Sequence, residues 1–379
     1  MVEKQKVLFF IYQMGAGGAA RTLLNIINHL DRSRFTPVLV TLNYEGNYEA
    51  YLNSDIKFIK LNTKRLRSAI IPLAKVIRRE QIDIVFSTIP NYNTVAILAR
   101  LCSFTRAKIV VREAAYLGGT FSANLKLKVY GFLYKLASDV IALSHGVKDN
   151  IVKRYNVKAE KIRVIYNPVD LRNIQENIQH GELPEEHQQL FHGESKVIVT
   201  AGRLVKDKDH ATLLKAFHQV HREVNAQLVI LGEGELKDDL KKQAEDLHMQ
   251  DSVHFIGFQQ NPYMYFHHAD VFVLSSIREG FGHVLAEALA SGTPVVATNA
   301  KPGASEVLDH GKYGKLCEVG NDQELASNIV EVLTLDETEK TKLIEKGLER
   351  AAQFDARNIV QQYEDTFDQS GEQPQRNFQ

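Results

Sequence analysis

The stretch SSIREGFGHVLAEALASGTPVVAT, residues 275–298, concentrates the chemistry of this 379-residue chain. Glu279 and Glu287 stand eight residues apart across an EGFG turn that runs into a helix-like segment. Gly280 and Gly282 free the backbone N–H groups of that turn, and such a turn at a helix N-terminus holds a diphosphate without a metal. Glu279 precedes the turn, where a bound sugar would lie. Glu287 falls about two turns into the helix, where it would accept hydrogen bonds from a ribose diol. Two carboxylates also suit a hydrolase acid and base, and a pair of solvated helix glutamates is the plain alternative. Their placement around an anion-binding turn favours binding.

A second stretch, TAGRLVKDKDH (200–210), supplies cations. Arg203 and Lys208 are placed to neutralise a departing phosphate. Asp207 and Asp209 form a D-x-D pattern, but Lys208 between them already provides positive charge, so no metal is expected. A third stretch, KVLFFIYQMGAGGAARTLLNII (6–27), places Gly15, Gly17 and Gly18 between an apolar run and a helical pattern. Gly15, Gly17 and Ala20 spell G-x-G-x-x-A, a dinucleotide fingerprint. That fingerprint needs an acid at the end of the second strand, and here Leu42, Asn43 and Tyr44 come first, with Glu45 too late. The loop is expected to face a phosphate or sugar through its N–H groups and the helix dipole.

The elements that must position these loops alternate. Short apolar runs at KVLFFIY, FTPVLVTLN, IDIVFST, KIVVRE, SDVIALS and IRVIYNP are separated by helical patterns. The alternation restarts at SKVIVTAGRL and continues through AQLVILGEG, SVHFIGF, DVFVLSS, TPVVATN and KLCEVG. Continuous apolar strands alternating with helices imply parallel, doubly wound sheets. The fold class is α/β, with two Rossmann-like doubly wound domains facing across a cleft and ligands at the carboxyl ends of the strands. The first domain is expected at 1–172 and the second at 195–354. A polar connection spans 173–194, and the tail 371–379 is expected to fray.

The net charge of zero conceals two opposed halves. Residues 1–172 carry 27 Lys plus Arg against 12 Asp plus Glu, whereas 173–379 carry 19 against 34. The basic half should favour an anionic partner. Its segment KRLRSAIIPLAKVIRR (64–79) has six basic residues, no acid and apolar positions between them, a pattern that lies on anionic membranes. Pro72 interrupts it. No aromatic-interleaved basic motif points to nucleic acid. Cys102 and Cys317 are far apart and have no partners at metal-ligand spacing, which fits a reducing compartment. No run approaches the ~20 apolar residues that span a bilayer. The expected location is the cytoplasm, with a peripheral station on the inner face of the membrane.

At these residues the chain resembles the family-four retaining glycosyltransferases of the GT-B fold. The second-half blocks AGRLVKDKDHATLLKAF, LVILGEGEL, the long VHFIGF…PVVAT run and GASEVLDHGKYGKL carry the resemblance. So do QMGAGGAARTLLNII and ALSHGVKDNIVKRYNVKAEKIRVIYNPVD in the first half. The resemblance implies that Arg203 and Lys208 hold the diphosphate, that Glu279 touches the transferred sugar and that Glu287 binds the ribose. Phe281, Gly282 and His283 would offer backbone contacts, the base would lie near Gly257 and Phe258, and Gly17 and Gly18 would face the donor. It implies that a last helix, about 355–370, returns to the first domain. Two departures stand out. Ala20 replaces an acid common in the family, and Arg112 and Glu113 stand where a His often follows the strand, which puts them on the acceptor side.

The expected activity is retaining transfer of a hexose or N-acetylhexosamine from a nucleotide diphosphate sugar, UDP-linked by preference. The acceptor would be a hydroxyl of a lipid-linked or cell-surface glycan. No cofactor or metal is expected, and front-face attack is the family expectation. A sugar-nucleotide epimerase on the same fold is the nearest alternative, and it would turn over without an acceptor. A NAD-dependent oxidoreductase and a non-enzymatic sugar-binding protein are further ones.

Overall fold

The computed structural model describes residues 4–15, 17–118 and 120–369. The chain divides into two compact units, 1–168 with 356–379, and 169–355. In the first, seven parallel strands are ordered β3-β2-β1-β4-β5-β6-β7. They are β1 (Gln5–Phe10), β2 (Phe35–Thr41), β3 (Lys57–Lys60), β4 (Ile84–Thr88), β5 (Lys108–Glu113), β6 (Asp139–Ala142) and β7 (Ile162–Val164). The second unit orders six parallel strands β10-β9-β8-β11-β12-β13. These are β8 (Lys196–Ala201), β9 (Ala226–Leu231), β10 (Val253–Gly257), β11 (Val271–Leu274), β12 (Val295–Thr298) and β13 (Lys315–Cys317). Each sheet reverses its winding beside its first strand, which opens a crevice at the strand C-termini.

The central strands are almost wholly apolar and buried, as parallel strands covered on both faces must be. The edge strand β3 escapes sequence reading because its residues, KFIK, put charge at both ends of a two-residue apolar core.

Three segments differ from expectation or refine it. The polar stretch 173–194 is not a free connection. It carries most of the helix Leu171–His180 and all of the helix Glu185–Gln188, and it belongs to the second unit. Ile174 is buried, Gln175 donates to the Ala290 carbonyl at 3.1 Å, and His187 bonds Tyr265 at 2.7 Å. A helix with one buried apolar position reads as polar loop in sequence. Second, the helix Ile70–Arg79 accommodates Pro72 in its first turn, where a missing N–H costs nothing. Its Leu73, Ala74, Val76 and Ile77 are buried. Third, the helix Ala356–Gln369 lies in the first unit. Phe367 sits edge-on to Phe9, Phe35 and Phe86, and Glu364 accepts from the Asp31 amide at 2.7 Å. The expected frayed tail, 371–379, lies outside the described residues.

Candidate active site

In the second unit the post-strand loops are laced together. Gly202 N donates to the Leu231 carbonyl at 2.9 Å, Leu204 N to that of Glu233 at 2.9 Å, and Gly232 N to that of Gly257 at 2.8 Å. Gly232 has φ +135°, and a Cβ there would lie 1.9 Å from the Gly202 carbonyl oxygen, so only glycine permits this approach. Lys208 follows in the loop after β8, with its aliphatic stem against Gly202. Its ammonium pairs with Glu279. The Ser276 hydroxyl also donates to Glu279, at 2.7 Å, and the Ser275 hydroxyl donates to the Lys208 carbonyl at 2.9 Å. The loops after β8 and β11 are thus tied by side chain and backbone, with Ile277 N donating to the Asp207 carbonyl at 2.9 Å.

The two aspartates beside Lys208 are engaged elsewhere. Asp207 meets Arg278 at 3.3 Å, and Asp209 caps the helix His210–Glu223 by accepting from Thr212. Arg203 is exposed and makes no side-chain hydrogen bond or ion pair with any described residue. His210, buried beside Lys208, is held neutral: burial, then that ammonium, pushes its pKa down to about 4.

The EGFG turn closes on itself as its glycines suggest. Gly282 takes φ +86° at the N-cap of the helix His283–Ala290, a left-handed conformation that costs an L-residue about 1–2 kcal/mol. The Phe281 ring is buried and edge-on to Phe354 at 5.1 Å. Glu287 is 3% exposed, with His283 Nε2 and the Tyr263 hydroxyl each 3.5 Å from its Oε1. Gly257 ends β10 with φ +74°, and Phe258 beyond it is half exposed. Ser276 and Tyr263 escape the sequence reading. Ser276 stands three residues before Glu279, a spacing that could have signalled it, whereas Tyr263 lies far along the chain from Glu287 and carries no such signal.

In the first unit Gly17 caps the helix Gly18–His29. A Cβ at Gly17 or Gly18 would meet nothing within 4 Å, so the fold does not itself require glycine there. Three tyrosines at strand C-termini also escaped sequence reading. Tyr12 stacks on Tyr44 at 4.8 Å and on Tyr92 at 6.1 Å. Each follows a strand closely, a positional signal that was available.

Arg112 and Glu113 correct an expectation. Rather than facing an acceptor, both are buried, at 1% and 0% exposure. Arg112 bonds the Tyr363 hydroxyl at 3.0 Å, Thr88 at 3.0 Å, and Asn167. Glu113 accepts from Tyr134 at 3.0 Å, Tyr155 at 2.9 Å and the amides of Ala114 and Ala115. Burial outweighs those donors and pushes its carboxyl up to about 7.

Two family descriptions match the chain in tandem: Glycosyltransferase Family 4 over residues 16–173 and Glycosyl transferases group 1 over residues 183–350. Over 374 residues it is 30% identical to N-acetylgalactosamine-N,N'-diacetylbacillosaminyl-diphospho-undecaprenol 4-alpha-N-acetylgalactosaminyltransferase of Campylobacter jejuni, covering 94% of this chain and 97% of that protein. The chain belongs to the family-four GT-B glycosyltransferases. Among solved structures, this glycosyltransferase is similar to HepE of Anabaena in complex with UDP, at 25% identity and TM-score 0.80 over 96% of this chain and 100% of that one. The HepE complex with UDP and glucose gives 26% and 0.81 over 96% and 99%. A Rickettsia africae glycosyltransferase shares the fold, with TM-score 0.81 at 19% identity over 98% and 99%. Membership in a glycosyltransferase family removes the oxidoreductase alternative.

Proposed function

We propose that this glycosyltransferase moves a hexose or N-acetylhexosamine, with retention and without a metal, from a UDP-sugar to a hydroxyl of a lipid-linked or cell-surface glycan. The observation that carries the reading is the Lys208–Glu279 pair braced by Ser276, on the same segment as the Gly282-opened helix and its buried Glu287. The Campylobacter relative's named acceptor is a diphospho-undecaprenol glycan, and HepE is described with UDP and glucose, which supports donor and acceptor class.

An arriving diphosphate competes for the Lys208 ammonium. Glu279, still held by Ser276, then accepts hydrogen bonds from the sugar hydroxyls. Arg203, unengaged, swings onto the phosphate, where charge builds as the glycosidic C–O bond breaks. The acceptor oxygen bonds the anomeric carbon on the same face, and the leaving phosphate takes its proton. Glu287 accepts the ribose hydroxyls. The tyrosines at 12, 44 and 92 provide an aromatic surface suited to the acceptor.

Metal-free calorimetry with UDP, GDP and NADP tests the donor. Selective UDP binding, weakened at least about tenfold by Glu287→Ala, is the expected result. Sugar or epimer released without acceptor would move the assignment to the epimerase. Binding of none of the three would withdraw it.

A further inference from the structure

Arg350, in the last turn of the helix Glu337–Ala352, is a cation held by neutral groups. Its Nε donates to the Val307 carbonyl at 2.8 Å and one terminal nitrogen to the Glu306 carbonyl at 2.5 Å. The other terminal nitrogen donates to the Gln353 side-chain oxygen. Its Cζ lies 5.4 Å from the centroid of the Tyr313 ring and 4.8 Å from that of Phe354. Among the described residues it pairs with no acid. A guanidinium forked across two carbonyls and laid on aromatic rings is a fixed group, unlike a solvated surface charge.

What it holds leads to the EGFG turn by two routes. Glu306 and Val307 end the helix Gly303–Val307, where carbonyls lack the N–H groups of a following turn. The start of that helix lies on the turn. Gly303 N donates to the Glu279 carbonyl at 2.9 Å, and Pro302 bridges Glu279. A Cβ on Gly303 would stand 2.4 Å from the N and Cα of Phe281, so the two backbones are in direct contact. Gly303, Ala304, Ser305 and Val307 are buried, which makes this short helix a rigid link. The second route is aromatic: the Phe354 ring beneath Arg350 is fully buried and meets the Phe281 ring edge-on. The turn needs such outside support. Gly280 and Gly282 have no side chains to fix it, and Gly282 sits at φ +86°.

We infer that Arg350 is a positioning residue for donor binding. From the far end of the helix Gly303–Val307, and through Phe354, it holds the 279–283 backbone in the shape that receives the diphosphate. All three of its guanidinium nitrogens are engaged, so it acts through the turn and not on the phosphate. Lysine cannot take its place, because one ammonium does not fork across two carbonyls and lie flat on rings. The purpose of this arrangement rests on the diphosphate-binding role of the turn. Its mechanical part, that Arg350 shapes the turn, is measured without any ligand and so stands or falls separately.

The test compares Arg350→Ala, Arg350→Lys and Lys340→Ala in the full chain, at a temperature where each is folded. Lys340→Ala breaks the pair with Asp270 near the other end of the same helix and serves as the stability control. Arg350→Ala should weaken UDP binding in metal-free calorimetry at least about tenfold. Ethylguanidinium, which refills the vacated space, should restore part of that loss and leave the wild type unmoved. Arg350→Lys should remain weakened, and Lys340→Ala should bind as the wild type does. In the absence of ligand, Arg350→Ala should also speed hydrogen exchange at the Leu285 and Gly303 amides, which bond the Gly282 and Glu279 carbonyls, while β8 and β9 stay protected. Unchanged exchange at those two amides overturns the proposal, as does unchanged UDP affinity in Arg350→Ala. An equal loss of affinity in Lys340→Ala overturns it in favour of a purely stabilising role. A wild type that binds no UDP would remove the donor reading, and the exchange measurement would still decide whether Arg350 shapes the turn.

Discussion

Glu113 shows how far one residue's behaviour departs from its type. Four donors surround it and alone would favour the carboxylate, yet burial raises its carboxyl from the ordinary 4.5 to about 7. Between those values the native state keeps a proton that the unfolded chain has lost. The stability this contributes is complete below pH ~4.5 and disappears as pH rises through about 7. Glu113→Gln removes the titration. The Tm of the wild type relative to this variant should therefore fall between pH 5 and 8, by at most the equivalent of roughly 3 kcal/mol. A pH-independent difference would show that Glu113 stays ionised. His210 acts in the opposite sense: held near 4, it withdraws stability as pH falls below about 6.5, and it cancels in this comparison.

Among the elements, the glycine loops divide by what their missing side chains spare. At Gly232 an added Cβ meets backbone at 1.9 Å and φ is +135°. Gly232→Ala should cost several kcal/mol, on the order of 3 or more, read as a lowered Tm. Gly18 is the first residue of its helix, and a Cβ there meets nothing within 4 Å. Gly18→Ala should leave Tm unchanged or raise it slightly, by up to about 1 kcal/mol, while raising KM for the donor. An unchanged KM would mean that this loop faces no ligand. Gly17 and Gly18 were legible in the sequence as a loop between strand and helix. That an added Cβ at either would meet no described atom beyond its own helix and chain neighbours within 4 Å was not, because it depends on distant parts of the chain.

At the scale of the whole molecule, the chain leaves the first unit at Pro168 and re-enters it at Ala356. Val169 N donates to the Phe354 carbonyl at 2.8 Å, and Val169 bridges Asp355, so the two passages run side by side where the second unit begins and ends. The first unit depends on a helix encoded almost 200 residues away, whose Ile359, Val360, Tyr363 and Phe367 join its core. Ending the chain at Asp355 should therefore speed hydrogen exchange in β1, β4 and β5 while leaving β8, β9 and β11 protected. Equal protection in both sheets would show the helix to be dispensable.

The local pattern by itself determined the alternation of strands and helices, the two sheets, the glycine turns and the two glutamates around one of them. Apolar period and turn chemistry are properties of neighbouring residues, and they survive without tertiary context. Tertiary structure alone decided what covers each helix. The helix Ile70–Arg79 spends its apolar face on the core, whereas the helix Phe121–Tyr134 leaves Phe121, Leu125, Val129 and Phe132 exposed. It also decided that 171–180 packs as a helix, that Ser276 and Tyr263 stand beside the glutamates, and that Arg112 and Glu113 are interior. Burial and hydrogen-bond partnership are set by residues far away in the chain, and no window of sequence contains them.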